Sequence, residues 1–118
     1  MSSVASRPEL IERLFVTPEA NTAGIYTLKL YVRGKPWLVQ VDDELPFMTD
    51  SDQLRFNKYN PATNTVWAPL LQKSIAQIAG NYNNLYAGMP ENALRTLTGA
   101  PVYHYTVADL EDEIIWDL

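Results

Sequence analysis

Few side chains in this sequence could take part in catalysis. The chain of 118 residues contains no cysteine, and its single histidine is His104. Without a thiol the sequence can supply no disulfide, no thiolate metal ligand and no cysteine nucleophile. His104 stands between Tyr103 and Tyr105, with no second base or metal ligand beside it. We therefore expect this histidine to have a structural role, either packed in the fold or on the surface, and we assign no catalytic residue.

Carboxylates occur in two groups that could suggest a metal site. Asp42, Asp43 and Glu44 are consecutive and follow a predicted strand. Residues of this kind favour turns, and we expect them to form a solvated turn with no metal. The second group lies in the last ten residues and is predicted to be a solvated helix face. Its members are Asp109, Glu111, Asp112, Glu113 and Asp117.

Composition excludes several classes of function. The formal net charge is -5 and the basic residues form no cluster, which argues against nucleic-acid binding. No phosphate-binding glycine loop, zinc-protease motif, serine-hydrolase elbow or EF-hand loop occurs. No leader or membrane-spanning run is found, so we predict a cytoplasmic protein that does not enter a membrane. Residues 1–118 are interpreted as one unit.

Periodicity predicts an α+β fold in which a small antiparallel sheet packs on one long amphipathic helix and shorter helices. The alternation in 25–41 around Gly34 indicates a β-hairpin. Apolar residues at helical spacing predict a helix over 66–86, with Asn64 or Thr65 as its cap, Pro69 in its first turn and Gly80 as an unfavourable interior residue. The other predicted elements are a helix over 8–15, a loop over 49–65 containing a short strand at 53–56, a helix over 90–97 ended by Gly99, a strand over 102–107 and a helix over 109–118.

Three local motifs follow one another along the chain. The hairpin ends in Val41-Asp42-Asp43-Glu44-Leu45-Pro46, an apolar-periodic run extends from Trp67 to Tyr82, and Leu97-Thr98-Gly99-Ala100 comes after it. Together these motifs resemble the calpain family, the calcium-dependent papain-like cysteine peptidases. The first is similar to the family's Val-Asp-Asp-x-Leu-Pro signature, the second to its Trp-x-x-Leu-Leu-Glu-Lys-Ala helix and the third to its Leu-Thr-Gly-Gly segment. Order and approximate spacing agree, and the resemblance is strongest over 24–100.

The resemblance implies a partial catalytic domain, like the second subdomain of a calpain peptidase core. In the family, the nucleophilic cysteine precedes the matched region and the catalytic histidine and asparagine follow it. The resemblance aligns Trp67 with a tryptophan that stands beside the active-site cleft and moves when calcium binds. Without an active site in this sequence, the favoured interpretation of Trp67 is a core aromatic at the start of the amphipathic helix. Gln72 stands where the family has a calcium-binding Glu, so calcium is not favoured as a cofactor.

These observations leave two main hypotheses for function. The first is a non-catalytic calpain-like protein acting as a structural or protein-binding module. The resemblance offers a precedent, because some calpain-like proteins that lack catalytic residues associate with cytoskeletal or ciliary assemblies. The alternative is a fragment or split subunit of an active calcium-dependent cysteine endopeptidase, which the ending at Asp117-Leu118 within a predicted helix favours. Both predict an exposed apolar face covered by a second copy or another protein. A small-molecule or lipid carrier would instead need a closed apolar pocket.

Overall fold

The protein is described here by a computed structural model that covers residues 2–86, 88–106 and 108. The described chain is α+β, which confirms the predicted fold class. Strands β1 and β2 form a two-stranded antiparallel sheet. The elements in chain order are α1 (Ser2–Ala5), α2 (Pro8–Glu12), β1 (Ile25–Val32), β2 (Lys35–Asp42), α3 (Trp67–Ala79), a 3₁₀ helix (Tyr82–Leu85) and α4 (Pro90–Thr98).

The β-hairpin is confirmed, with Val32 paired to Lys35 across a two-residue turn. Both turn residues have positive φ, 51° at Arg33 and 77° at Gly34, as a type I′ hairpin turn requires. Alternation along the strands places one face of the hairpin in the core. The buried residues of that face are Tyr26, Leu28, Leu30, Val39 and Val41. Trp37 shares their alternation but remains 59% exposed, because it borders an open depression near the turn.

The outer edge of β1 is covered by the chain that follows α2. The amide of Lys29 donates to the carbonyl of Leu14 at 2.7 Å, and the amide of Val16 donates to the carbonyl of Thr27 at 2.9 Å. Phe15 forms an isolated antiparallel bridge with Leu28. The predicted helix over 8–15 therefore ends earlier than expected, at Glu12, because the next residues pair with the sheet.

Helix α3 packs its apolar stripe against the hairpin and completes the core. Leu71 is fully buried and Leu70 almost so, and burying one such side chain contributes about 1.5–3 kcal/mol. The predicted helix over 66–86 is wrong in extent, because Gly80 takes a φ of 100° and ends α3 at Ala79. Pro69 lies in the first turn, as predicted.

The start of α3 differs from the prediction. Neither Asn64 nor Thr65 caps the helix: the cap position is Val66, which has no side-chain hydrogen bond to the helix. The Thr65 hydroxyl bonds instead to the hydroxyl of Thr63 at 2.8 Å. The sequence alone does not show which of residues 64–66 occupies the cap position, because the start of the helix depends on the path of the preceding loop.

Helix α4 is confirmed and places Leu97 in the core. Gly99 ends it in the left-handed conformation, with φ of 71°, and its amide donates to the carbonyl of Arg95 at 2.9 Å. A Cβ atom at this position would lie 2.7 Å from the ring of Tyr31. Glycine is therefore favoured both by backbone conformation and by the close approach of β1.

Two predicted strands are not formed. The segment 53–56 contributes only the isolated bridge between Leu54 and Phe47. The segment 101–106 has no regular secondary structure, and Val107 lies outside the described residues, as does the predicted helix over 109–118. Across the described ranges, no helix has the length and apolarity that crossing a membrane would need.

Candidate protein-binding face

Trp67 is the first residue of α3 and is half-buried beside the core. Together with Ile11, Phe15, Tyr26 and Leu70 it lines a surface depression of about 370 Å³. Helix α2, the strip that pairs with β1, the hairpin and α3 thus all contribute to one apolar concavity. An indole in this position can act as a core aromatic and also present part of its ring to a bound partner.

A second depression, of about 570 Å³, lies on the other side of Val66. Its wall includes Phe47 and Tyr59, which are 56% and 42% exposed, and Val66 borders both depressions. We call this continuous surface the Val66 face, defined by Phe15, Phe47, Tyr59, Val66 and Trp67. Both depressions are open to solvent rather than enclosed, which suits a protein surface better than a small ligand.

The acidic segment 42–44 is tied to α3 by Lys73. The Lys73 ammonium donates to the Asp42 carboxylate and to the carbonyl of Glu44, and it lies 3.3 Å from the carbonyl of Asp42. The Glu44 amide also donates to the Asp42 carboxylate at 3.0 Å. The hydrogen bond from Lys73, followed by that from Glu44, lowers the pKa of Asp42 below its usual value. All three acids are exposed, which agrees with the predicted solvated segment, but Asp42 is the last residue of β2 rather than part of a turn and Asp43 lies in a bend.

Gln72, at the position where the resemblance implies a calcium ligand, holds the loop that precedes α3. Its side-chain oxygen accepts a hydrogen bond from the Asn57 amide at 3.0 Å. Next to this contact, Phe56 stacks on Tyr82 with ring centroids 4.4 Å apart. Partial burial, and then the charge of Asp42, raise the pKa of Tyr82. The long polar loop is therefore anchored to the helical layer by an amide and an aromatic pair.

His104 lies on the surface, with Nδ1 3.8 Å from a carboxylate oxygen of Glu91. Its side chain is 57% exposed, so it can form a weak surface ion pair when protonated. In the part of the chain that the structure describes, no three His, Cys, Asp or Glu side chains are grouped as a metal site would require.

Sequence reasoning missed two parts of this site. Tyr59 falls within the predicted polar loop and Phe47 lies in no predicted element, and nothing in their spacing indicates that they meet Val66. The Lys73 contact joins residues 31 positions apart. A lysine one helical turn from buried apolar residues is a weak signal for such a contact, because the ammonium groups of most lysines at such positions are solvated.

The chain is similar over its whole length to a known family. The sequence profile described as calpain family cysteine protease matches residues 1–118. The chain is 34% identical to the calpain-type cysteine protease DEK1 of Zea mays over 101 residues, which cover 84% of the chain and 5% of that protein. It is 31% identical to calpain-10 of Rattus norvegicus over 87 residues, 74% of the chain and 13% of that protein. It is 26% identical to calpain-14 of Homo sapiens across the full chain, which corresponds to 17% of that protein.

The chain therefore belongs to the calpain family, and the resemblance inferred from its motifs is confirmed. It spans from 5% to 17% of the length of these relatives. The family is one of cysteine proteases, but this sequence has no cysteine and cannot provide the nucleophile.

Proposed function

We propose that this calpain-family chain is a non-catalytic structural or protein-binding module that docks a protein partner through the Val66 face. The observation that carries the proposal is the pairing of a buried core with an open apolar surface, in a chain that has no thiol. A binding surface requires only the fold and the exposed side chains, and it needs no thiolate.

The composition of the Val66 face supports a protein partner. Phe47 and Tyr59 are large amphipathic or apolar anchors, and such residues are enriched at the centres of protein interfaces. Asp52 and Lys58 border the second depression and supply a polar rim of mixed charge. The two depressions have the size of pockets that accept a few side chains each.

The proposal also covers the location of the protein, its assembly and its cofactors. We infer a cytoplasmic location and membership in a larger assembly, with cytoskeletal or ciliary structures as the first to examine. Calcium is not assigned as a cofactor, because Gln72 is a neutral ligand and its oxygen is already engaged by Asn57. Trp67 is assigned to the binding surface rather than to an active-site cleft.

A second candidate function is that of a piece or subunit of an active cysteine endopeptidase. It is favoured by the relatives, which are themselves described as cysteine proteases and are far longer than the matched region. In that case the Val66 face would pack against the protein segment that carries the cysteine. The two functions share the docking surface and differ in whether the occupant supplies catalytic groups.

The face can be tested with Val66→Asp, because an added carboxylate would be desolvated on docking. The matched control is Tyr86→Asp, which changes a 91% exposed aromatic that borders neither depression. Endogenously tagged chains would be captured and their associated proteins quantified. Loss of specific partners with Val66→Asp alone supports the proposal, whereas equal recovery of every partner with both variants contradicts it.

A further inference from the structure

The outer edge of β2 presents unpaired backbone groups. In this hairpin the amide of Asp43 donates to the carbonyl of Gly24 at 2.9 Å, which fixes the alternation of the ladder. Antiparallel ladders point every second residue's N–H and C=O groups away from the partner strand. On β2 those outward-facing residues are therefore Pro36, Leu38, Gln40 and Asp42.

Among the described residues, none bonds to the N–H or C=O of Leu38 or Gln40. This contrasts with β1, where the outward amide of Lys29 donates to Leu14 and the outward carbonyl of Thr27 accepts from Val16. The β2 edge also borders a depression of about 880 Å³ that is lined in part by Trp37, Leu38, Val39, Gln40, Gln77 and Ile78. A free edge beside exposed apolar side chains is a template for strand addition.

We propose that the occupant of this edge is the β2 strand of a second copy of the chain, added antiparallel about a twofold axis at Val39. Leu38 would then lie opposite Gln40 of the partner subunit, and each residue would exchange both backbone hydrogen bonds with the other. The two sheets would join into one continuous four-stranded sheet. The contact goes beyond the Val66 face and uses none of its residues.

The groups at the ends of the edge favour this register over one shifted toward Pro36. In it, Pro36 lies opposite Asp42 of the partner subunit. Pro36 has no N–H to give, but the carbonyl of Asp42 does not need one, because Lys73 of its own chain already lies 3.3 Å from it. Shifting the register so that Pro36 faces Gln40 would leave the carbonyl of Gln40 without a donor.

Charge agrees with the same register. Lys35 would lie opposite Asp43 of the partner subunit, and the twofold axis produces this pair of opposite charges twice. Both residues are exposed in the single chain and follow the same alternation along the strand. Cross-strand pairs of opposite charge stabilise a sheet, and like charges directly opposite each other weaken it.

The absence of cysteine makes the register directly testable by introduced cysteines. We would prepare full-length Leu38→Cys and Gln40→Cys chains and expose them to a mild oxidant, separately and mixed. Opposed residues of a hydrogen-bonded antiparallel pair are about 5.5 Å apart at Cα, within the range of a disulfide. The mixture is expected to form disulfide dimers several-fold faster than either chain alone, and faster than mixtures with Gln53→Cys, an exposed control away from the edge.

Dimer formation by wild-type chain would be measured by sedimentation as a concentration-dependent shift from 13.4 kDa to twice that mass. Lys35→Glu places an acid opposite Asp43 on both sides of the axis and should raise the dimer Kd roughly fivefold. Arg55→Glu makes the same charge change in the loop before α3 and should leave Kd unchanged.

The outcomes separate this proposal from the Val66 face. Equal crosslinking of the single chains and the mixture would overturn the proposed register, and a chain that sediments as a monomer throughout would overturn the dimer. Val66→Asp, added to the Leu38→Cys and Gln40→Cys chains, is expected to leave the crosslinking of their mixture unchanged. Failure of that variant to crosslink would also contradict the proposal, since the β2 contact would then depend on the other surface.

Discussion

Replacing Gln72 with leucine should loosen the loop that precedes α3. The change removes the acceptor of the Asn57 amide while keeping a side chain of similar volume. A neutral hydrogen bond of ordinary length contributes about 1 kcal/mol, and the part-buried amide left without a partner makes the loss somewhat larger. We expect a loss of about 1–2 kcal/mol in the free energy of unfolding, or roughly 3–10 °C in Tm for a chain of this size.

Two measurements would establish this effect. Thermal or urea unfolding gives the global loss, and amide hydrogen exchange reports the protection of Asn57 itself. Gln77→Leu is the matched control, because Gln77 lies on the same helix, is exposed, and makes no hydrogen bond with its side chain among the described residues. Equal stability of the two variants, with Asn57 protection unchanged in Gln72→Leu, would refute the role assigned to this glutamine.

Gln72→Glu extends the same prediction to calcium. A carboxylate also accepts the Asn57 hydrogen bond, so the variant should be as stable as the wild type at neutral pH. In the described part of the chain, no three His, Cys, Asp or Glu side chains are grouped as a metal site would require. We therefore expect millimolar calcium to leave its Tm unchanged, and a calcium-dependent rise would show that further ligands are near.

Three further predictions concern the frame of the fold. Gly99→Ala should lose about 1–3 kcal/mol more stability than Gly34→Ala, because both residues have positive φ but only Gly99 lies against a ring; urea unfolding of both variants measures the difference. Leu71→Ala should lose about 2–5 kcal/mol by the same assay. Lys73→Met should raise the pKa of Asp42 toward 3.8, which carboxyl NMR can follow. Because the folded-state pKa of Asp42 is lowered, the Lys73–Asp42 pair should stabilise the folded chain at pH values above the unfolded-state pKa of Asp42. This stabilisation should disappear as the pH falls through the folded-state pKa. Below that pH the wild type and Lys73→Met should be equally sensitive to acid.

The hairpin was predictable because its determinants are local. Alternation in β1 identifies the buried face, and Gly34 can adopt the positive φ that a tight turn needs. The short α4 was equally accessible, since Pro90 and Gly99 mark its two ends. In these segments the local preferences and the tertiary packing favour the same structure.

The errors arose where tertiary contacts decided the outcome. The apolar spacing in 66–86 continues past Ala79, but the backbone at Gly80 turns and the chain resumes as a 3₁₀ helix. Asn84 assists this turn by donating to the carbonyl of Ala79 from its side chain. Residues 102–106, the described part of the other predicted strand, pair with no strand edge, and weak alternation alone does not form a strand.

The candidate site was less predictable than the fold. The motifs identified the family, but the Val66 face joins the segment near Phe47 to the start of α3 across a loop of irregular structure. Such a surface depends on the path of the loop, which is held by Gln72 and the Phe56–Tyr82 stack rather than by any periodic pattern.

The central claim is that this chain contributes a binding surface and no catalysis. The most direct test is to purify the native complex through an endogenous tag, read the intact mass of the tagged product, and assay the complex for calcium-dependent proteolysis. We predict a product of this chain's mass in a stable complex that shows no proteolysis with calcium. A heavier product carrying cysteine, histidine and asparagine segments, or a partner chain that supplies them with calcium-dependent activity, would contradict the claim and make the chain part of an enzyme.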